Sequence, residues 1–330
     1  MQRRTLVLAE VGSNHNGDLG TAMQLIDAAK DAGADLVKFQ LIRRADELMH
    51  PTHPGSASLS ANTLDGMQHR YLQQYAAMKG IPYFATPVSS YGVRRLNAWK
   101  VPYIKIASGD VTNIPLIQHA ASTGIPLIIS VGFTTEPELQ QLKAALPCKP
   151  FAVLHCVGAY PADISDVNLF DICDLAIMFD CRGGLSDHTR SIILPSIAVA
   201  YGADVIEKHL TLSRAEGQVG LDHGHSLEPQ EFKQMVAYIR EAEQLRLQRQ
   251  PFACVKASEE AMRTAARRGV YFRVPMHKGH KIHGLDVAFL RPFNGMHPYE
   301  VEKYYGRTLA RAVDQDESVT PGCFEDVDHG

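Results

Sequence analysis

The sequence predicts an α/β protein in which a parallel barrel is followed by a small β-rich module. Three observations carry this. Apolar runs end repeatedly in a polar residue able to do chemistry, several of those runs follow a helix that stops at a glycine, and the apolar patterning changes after about residue 250. A parallel barrel delivers the residues at its strand ends to one mouth. A recurring unit of helix, glycine stop and short buried strand therefore argues for a sheet closed on itself rather than a sandwich.

The first run, Leu6 to Glu10, ends in a carboxylate and opens into Val11-Gly12-Ser13-Asn14-His15-Asn16-Gly17. Leu19, Ala22, Met23, Ile26 and Ala29 then share one helical face, and Ala32-Gly33-Ala34-Asp35 stops that helix before the run Leu36 to Gln40. Arg43 to Thr63, with its Pro, Ser, Gly and His content, reads as a long loop over the mouth. Runs from Tyr103 to Ser108, Leu127 to Ser130 and Ala152 to His155 follow, the second introduced by Thr123-Gly124-Ile125-Pro126. Leu175 to Phe179 has the composition of a buried strand but also continues the helical spacing of Val167, Ile172 and Leu175, and periodicity does not separate the two. After the turn Gly184 to Thr189, Tyr201-Gly202-Ala203-Asp204 leads into the last run, Val205 to His209. Glu228 to Leu247 is amphipathic, with Phe232, Met235, Val236, Ile239 and Leu245 on one face. Beyond Arg249-Gln250-Pro251, turn dipeptides alternate with short apolar pairs from about Gly269 onward. The expected division is a barrel over residues 1–250, a linker over 251–268 and a module over 269–330, the last too small for much core of its own.

A chain of 330 residues, 45% of them hydrophobic, can bury one large core with a tail to spare. The net charge of -3, from 33 basic and 36 acidic side chains, offers no long-range field suited to nucleic acid or an acidic membrane, which points to a small-molecule partner. No apolar stretch reaches membrane-span length, and Met1-Gln2-Arg3-Arg4 runs straight into a strand, so a cytoplasmic protein is expected. The six cysteines (148, 156, 173, 181, 254 and 323) lack Cys-x-x-Cys spacing and read as reduced, mostly buried thiols.

Strand alternation turns Lys38 and Gln40 to the same side, into the barrel, where a buried ammonium needs an anion. Lys105, flanked by Ile104 and Ile106, repeats the arrangement, and Thr86, Ser108 and Ser130 add hydroxyls. Two such lysines on strands ending at one rim read as a phosphate or carboxylate cradle, against the alternative of buried ion pairs with Asp or Glu. His188 and His209 are candidate ligands of a divalent ion, with Glu207, Asp187 or water completing or orienting the site; His155 and His15 are further candidates. The histidines at 277, 280, 283 and 297 read as solvated. Glu10 is placed to move a proton or bind a polyol, and an ion pair to Lys38 or Lys105 would be compatible with either role.

These motifs together resemble the sialic acid synthase family. The resemblance rests on Ala9 to Gly17, Asp35 to Gln40, Tyr103 to Gly109, His155-Cys156 with Tyr160-Pro161, Gly184 to Thr189 and Ile206 to His209. Leu290-Arg291-Pro292 and Gly306-Arg307 resemble the family's C-terminal antifreeze-like (SAF) domain. The resemblance implies a (β/α)8 TIM barrel and a homodimer in which each SAF domain covers the partner's site. It implies condensation of phosphoenolpyruvate with an N-acetylated amino-hexose such as N-acetylmannosamine, giving a nine-carbon 2-keto acid and phosphate. Lys38, Thr86, Lys105, Ser108 and Ser186 would hold phosphoenolpyruvate, and His188 and His209 would bind Mn2+ or Mg2+. Glu10, Gln40, Tyr160 and Asp222 would meet the sugar, with Arg291 reaching it in trans. The resemblance also makes Leu175 to Phe179 helical and puts the seventh strand near Gly183 to Ser186. The chain departs from the family pattern at Gly158, where Ser or Asn is usual, at Leu221 in Gly220-Leu221-Asp222-His223, at Leu290, and in a short loop after the second strand. Gly158 removes one side-chain contact expected at phosphoenolpyruvate, but the departures lie mainly around the sugar and bear on product identity more than on reaction type. The alternatives are another metal-dependent barrel enzyme of aldolase type, or an inactive carbohydrate-binding relative.

Overall fold

The computed structural model describes residues 4–215, 222–247 and 254–325. The chain divides into two compact units, Met1–Arg249 and Gln250–Gly330.

In the first unit eight parallel strands close into a barrel in chain order. They are β1 (Leu6–Glu10), β2 (Leu36–Leu41), β3 (Tyr83–Pro87), β4 (Ile104–Ile106), β5 (Leu127–Ser130), β6 (Ala152–Cys156), β7 (Arg182–Asp187) and β8 (Val205–His209). The helices wrapping them are α1 (Leu19–Asp31), α2 (Ser56–Ala61), α3 (Gly66–Met78), α4 (Ser90–Trp99), α5 (Ile114–Ser122), α6 (Glu136–Ala145), α7 (Asp171–Phe179), α8 (Leu194–Ala200) and α9 (Pro229–Leu247). This is the (β/α)8 TIM barrel that the motifs imply. Helix α1 begins where the Asp18 carboxylate accepts from Thr21 N, and α3 begins in a capping box between Asp65 and Gln68. Both devices satisfy backbone donors that the first turn leaves open.

Register sets the heights of the functional residues. Glu10 lies level with Lys38 on one side and His209 on the other, while Gln40 pairs with Thr86 and Ser186 with Glu207. Outside the barrel wall, Phe39, Leu72 and Phe232 are among the fully buried side chains that seal helices to strands.

Several expectations change. Arg43 to Thr63 is not a bare loop, because it carries α2 and a 3-10 turn at Ala45–Glu47. Leu175 to Phe179, by composition alone also readable as a strand, is the end of α7, as the resemblance implies. The strand after it, β7, has no apolar run to betray it. A Cβ on Gly183 would lie 2.3 Å from the Ile172 carbonyl oxygen, and one on Gly184 would lie 2.3 Å from that of Val205, so packing requires two glycines where a strand would otherwise show branched residues. Only Cys156 and Cys323 of the six cysteines are buried, which corrects the expectation of mostly buried thiols.

The second unit contains α10 (Glu260–Ala266) and an antiparallel pair, β9 (Gly269–Phe272) with β10 (Val287–Leu290). Helix α10 falls within the segment read as a linker, and the expected boundary at 250/251 lies outside the described residues. The unit has a core of its own, built from Val270, Phe272, Ile282, Val287, Val301, Leu309 and Val319 among others, where little core was expected. Isolated bridges such as Met276 to Val313 and Lys281 to Thr308 tie its loops together. His277 and His283 are exposed, whereas His280 is half-buried with Nε2 2.9 Å from Asp286 Oδ2, so it is not simply solvated. No helix among the described residues is long and apolar enough to cross a membrane.

Candidate active site

The C-terminal ends of the strands enclose a cavity of about 200 Å³. Glu10, Lys38, Gln40, Thr86, Lys105, Ser108, Ser130, Tyr160, Ser186, His188, Glu207 and His209 all face it. Asp222 stands beside His209 without lining this cavity, and Arg291 is exposed at the end of β10 in the second unit.

The two lysines are almost fully buried, at 4% and 1% exposure, and their partners differ. Lys38 Nζ sits between Glu10 Oε2 at 3.0 Å and Glu207 Oε2 at 2.9 Å, contacts of an ion pair rather than aligned hydrogen bonds. Lys105 Nζ donates to Ser130 Oγ at 2.7 Å and to the Ile106 carbonyl at 3.0 Å, while its nearest carboxylate oxygen among the described residues, on Glu207, is 3.8 Å away. Both earlier readings therefore meet in one place: Lys38 is a buried ion pair, and Lys105 is a cation with room for an anion.

Burial pushes the Glu10 carboxyl up to about 7, against the pull of Lys38 and with the push of Glu207. Burial also opposes the charge of Glu207, yet Lys105, Lys38 and the Ser186 hydroxyl hold it well below the usual carboxylate range. Burial pushes Lys105 down to about 8 despite Glu207. At neutral pH the set carries two ammoniums, one firm carboxylate and one carboxylate that is partly protonated. The balance is positive, and it is least compensated at Lys105, next to the hydroxyls.

The histidines occupy the other flank. Burial, then the neighbouring His225 and His188, keep His209 far below its ordinary range, and its Nδ1 is buried with no hydrogen-bond partner among the described residues. The ring is thus a neutral imidazole with a free lone pair, which is what a metal ligand requires. His188 is oriented by a contact from Nδ1 to the Val157 carbonyl at 2.8 Å, and the Tyr160 ring lies 4.3 Å from it between centroids. Its loop is anchored from behind. Lys208 Nζ, fully buried on the outer side, donates to Asp187 Oδ2 at 2.6 Å and to the carbonyls of Thr189 and Ser191. Asp187 is consumed by that anchor, which removes it from the expected metal set, and Glu207 is likewise committed to the lysines.

The two further histidine candidates lie elsewhere. His155 points outward from β6, with Nδ1 3.2 Å from Asp171 Oδ2 and Nε2 accepting from Asn168 N. His15 is buried against Phe39 and accepts from Gly17 N. A residue that the sequence reading passed over, His225, completes a group with His209 and Asp222 whose potential ligand atoms all lie within 4.8 Å of one another. The Asp222-x-x-His225 spacing was its only signal.

Gly12 makes the approach of Asp222 feasible. Its φ is +54°, and a Cβ there would sit 2.3 Å from Asp222 Oδ2 and 3.2 Å from His209 Cε1. Gly12→Ala is expected to cost about 1–2 kcal/mol in left-handed strain alone and to break the bonds from Ser13 N and Oγ to Asp222 Oδ2 at 2.7 and 2.9 Å. A denaturant midpoint read by the fluorescence of Trp99, the chain's one tryptophan and part of the barrel unit, checks the stability; a variant as stable as the parent would refute the packing argument. Gly158 has a comparable reason. A Cβ there would lie 2.0 Å from Phe133 Cδ1, so the Phe133 ring takes the space of the usual Ser or Asn. Leu290 is exposed in β10, and Leu221 lies outside the described residues.

Parallel barrels do chemistry where their strands end, and in this chain that is where the buried charges and unpartnered ring nitrogens converge; the class is that of a (β/α)8 enzyme. The sequence profile of the NeuB family matches residues 25–250. The N,N'-diacetyllegionaminic acid synthase of Legionella pneumophila is 36% identical, over 92% of this chain and 90% of that protein. The human N-acetylneuraminate-9-phosphate synthase is 31% identical over 96% of this chain and 92% of its own length. A crystal structure of N-acetylneuraminic acid (sialic acid) synthetase from Leptospira borgpetersenii, in complex with citrate, superposes with a TM-score of 0.73 at 32% identity, covering 79% of this chain and 90% of that one. The chain belongs to the NeuB family, the family of sialic acid synthases.

Proposed function

We propose that the protein is a nonulosonic acid synthase that condenses phosphoenolpyruvate with the open-chain form of an N-acetylated amino-hexose, giving a nine-carbon 2-keto acid and phosphate. The observation that carries this reading is Lys105, a buried ammonium bonded to Ser130 in the cavity that Ser108 and Thr86 also line, with no carboxylate closer than 3.8 Å among the described residues. A dianionic enol phosphate supplies the missing charge, and hydroxyls at strand ends supply donors to its oxygens.

In this reading Lys105, Ser108, Ser130, Ser186 and Thr86 fix phosphoenolpyruvate, with Lys38 adding charge from between its two carboxylates. Gln40, Tyr160 and Asp222 meet the acceptor. A divalent ion, Mn2+ or Mg2+, held by His188 and His209 would supply Lewis-acid polarisation of the acceptor aldehyde. Carbon 3 of phosphoenolpyruvate bonds to the aldehyde carbon, whose oxygen takes a proton. Water adds at carbon 2, losing a proton, and the carbon–oxygen bond to phosphate breaks as the keto group forms. Glu10, raised to about 7, is suited to hold or give such a proton near neutral pH. The second unit would serve as an SAF-like domain in a swapped homodimer, bringing Arg291 of one copy to the acceptor of the other. Its exposure in this chain is compatible with that role.

Relatives are named for different products, legionaminic acid, pseudaminic acid and N-acetylneuraminate 9-phosphate, so the acceptor is the point to measure. Purified protein with Mn2+ and phosphoenolpyruvate should release phosphate only with its own acceptor. The panel should include mono- and diacetylated amino-hexoses, free and phosphorylated, with products identified by mass. No phosphate release with any acceptor would overturn the reading in favour of an aldolase or a binding protein.

A further inference from the structure

Two histidines flank Gly224, and the structure treats them differently. His223 uses both ring nitrogens, Nδ1 with Thr211 Oγ1 at 2.7 Å and Nε2 with Asn16 Oδ1 at 3.0 Å, so its role is to tie the loop down. His225 is buried to 1% exposure, and its Nε2 has no hydrogen-bond partner among the described residues. A buried imidazole nitrogen left open is costly unless something occupies it.

The neighbours of that nitrogen point the same way. The ring of His209 is 4.5 Å away between centroids, and Nδ1 of His209 is likewise buried and unpartnered. Asp222 Oδ1 lies 4.0 Å from His225 Nε2, while the other carboxylate oxygen is fixed by Ser13, so one oxygen is oriented and one is free. His209, Asp222 and His225 each offer a potential ligand atom within 4.8 Å of the others, and both histidines carry a ring nitrogen with no hydrogen-bond partner among the described residues, an arrangement that fits a cation. Gly12 keeps this space open, since a Cβ there would press on both Asp222 and His209.

We propose that His225 is a ligand of the divalent ion, forming with His209 and Asp222 a set that favours first-row transition ions such as Mn2+ over Mg2+. This rests on the reading that the mouth binds a divalent ion at His209, and it adds ligands which that reading did not include. Two imidazoles and a carboxylate suit the transition series, whereas Mg2+ prefers oxygen ligands and retained water.

The test uses the full chain stripped of metal, with Mn2+ titrated and followed by the electron paramagnetic resonance signal of the free ion, then displaced with Mg2+. His225→Ala and His225→Asn are each expected to weaken Mn2+ binding by at least about tenfold and to reduce the preference for Mn2+ over Mg2+ by a similar factor. His209→Ala should lose more. The asparagine variant guards against a collapse of the loop in the alanine one, and Trp99 fluorescence reports that the barrel is folded. If both His225 variants bind Mn2+ like the parent while His209→Ala does not, the inference fails and the wider reading survives. If His188→Ala, His209→Ala and both His225 variants all bind Mn2+ like the parent, both fail together.

Discussion

Replacing Lys105 by Met should reduce kcat/KM for phosphoenolpyruvate, the proposed substrate, by about 10²–10³-fold, the usual loss when one donor to developing or bound charge is removed from a closed site. Methionine keeps most of the apolar stem, so the packing of a side chain that is 1% exposed is largely preserved. What disappears is the charge, together with the bonds to Ser130 Oγ and the Ile106 carbonyl. Those losses cost stability only modestly, about 1 kcal/mol each. Glu207 keeps Lys38 at 2.9 Å and the Ser186 hydroxyl, so no carboxylate is stranded. The variant should therefore be folded, about 2 kcal/mol less stable than the parent at most, and strongly impaired with the proposed phosphoenolpyruvate. A folded Lys105→Met protein with the parent's kcat/KM would place the anion elsewhere.

The barrel was legible because its strands advertise themselves in pairs of opposites, apolar residues inside the wall and one polar residue at the end. That signal fails where packing takes precedence over pattern. Strand β7 opens with Arg182-Gly183-Gly184 because neighbouring backbone leaves no room for a Cβ, so composition alone left the apolar end of α7 as a rival strand, and only the family resemblance placed the seventh strand near Gly183 to Ser186. Much of the cavity could be listed in advance, because Lys38, Lys105, Glu10 and His209 occupy strand ends whose inward direction follows from alternation. Residues on loops had no such rule. His225 and His223 are two apart in one short turn, and only the three-dimensional partners show that one is satisfied and the other is not. Asp187 failed in the opposite direction: next to His188 in sequence it resembled a ligand, but strand alternation turns it outward to Lys208.

Lys38→Met should behave unlike its counterpart, although the sequence alone makes the two lysines look equivalent. Lys38 is the only ammonium within 3.0 Å of Glu10 and Glu207 among the described residues, so its removal strands buried carboxylates, a loss of about 3–5 kcal/mol. The loss should depend on pH, and the sign follows from Glu10. Its native pKa of about 7 is above the exposed value of 4.5, so the folded state holds the proton more tightly. The stability from that proton is complete below about 4.5 and disappears as pH rises through about 7. Without Lys38 the carboxyl should rise further, making the variant's deficit larger at about pH 8.5 than at about pH 6. Adding Glu10→Gln removes the charge that cannot be accommodated, while Glu207 still has Lys105 at 3.8 Å and the Ser186 hydroxyl. The double variant should regain at least about half of the lost stability at the higher pH and show little further pH dependence there. Denaturant titrations followed by Trp99 fluorescence at both pH values decide it. A single variant as stable as the parent at the higher pH, or a double variant no better than the single one, would mean that Lys38 does not hold the two carboxylates in place.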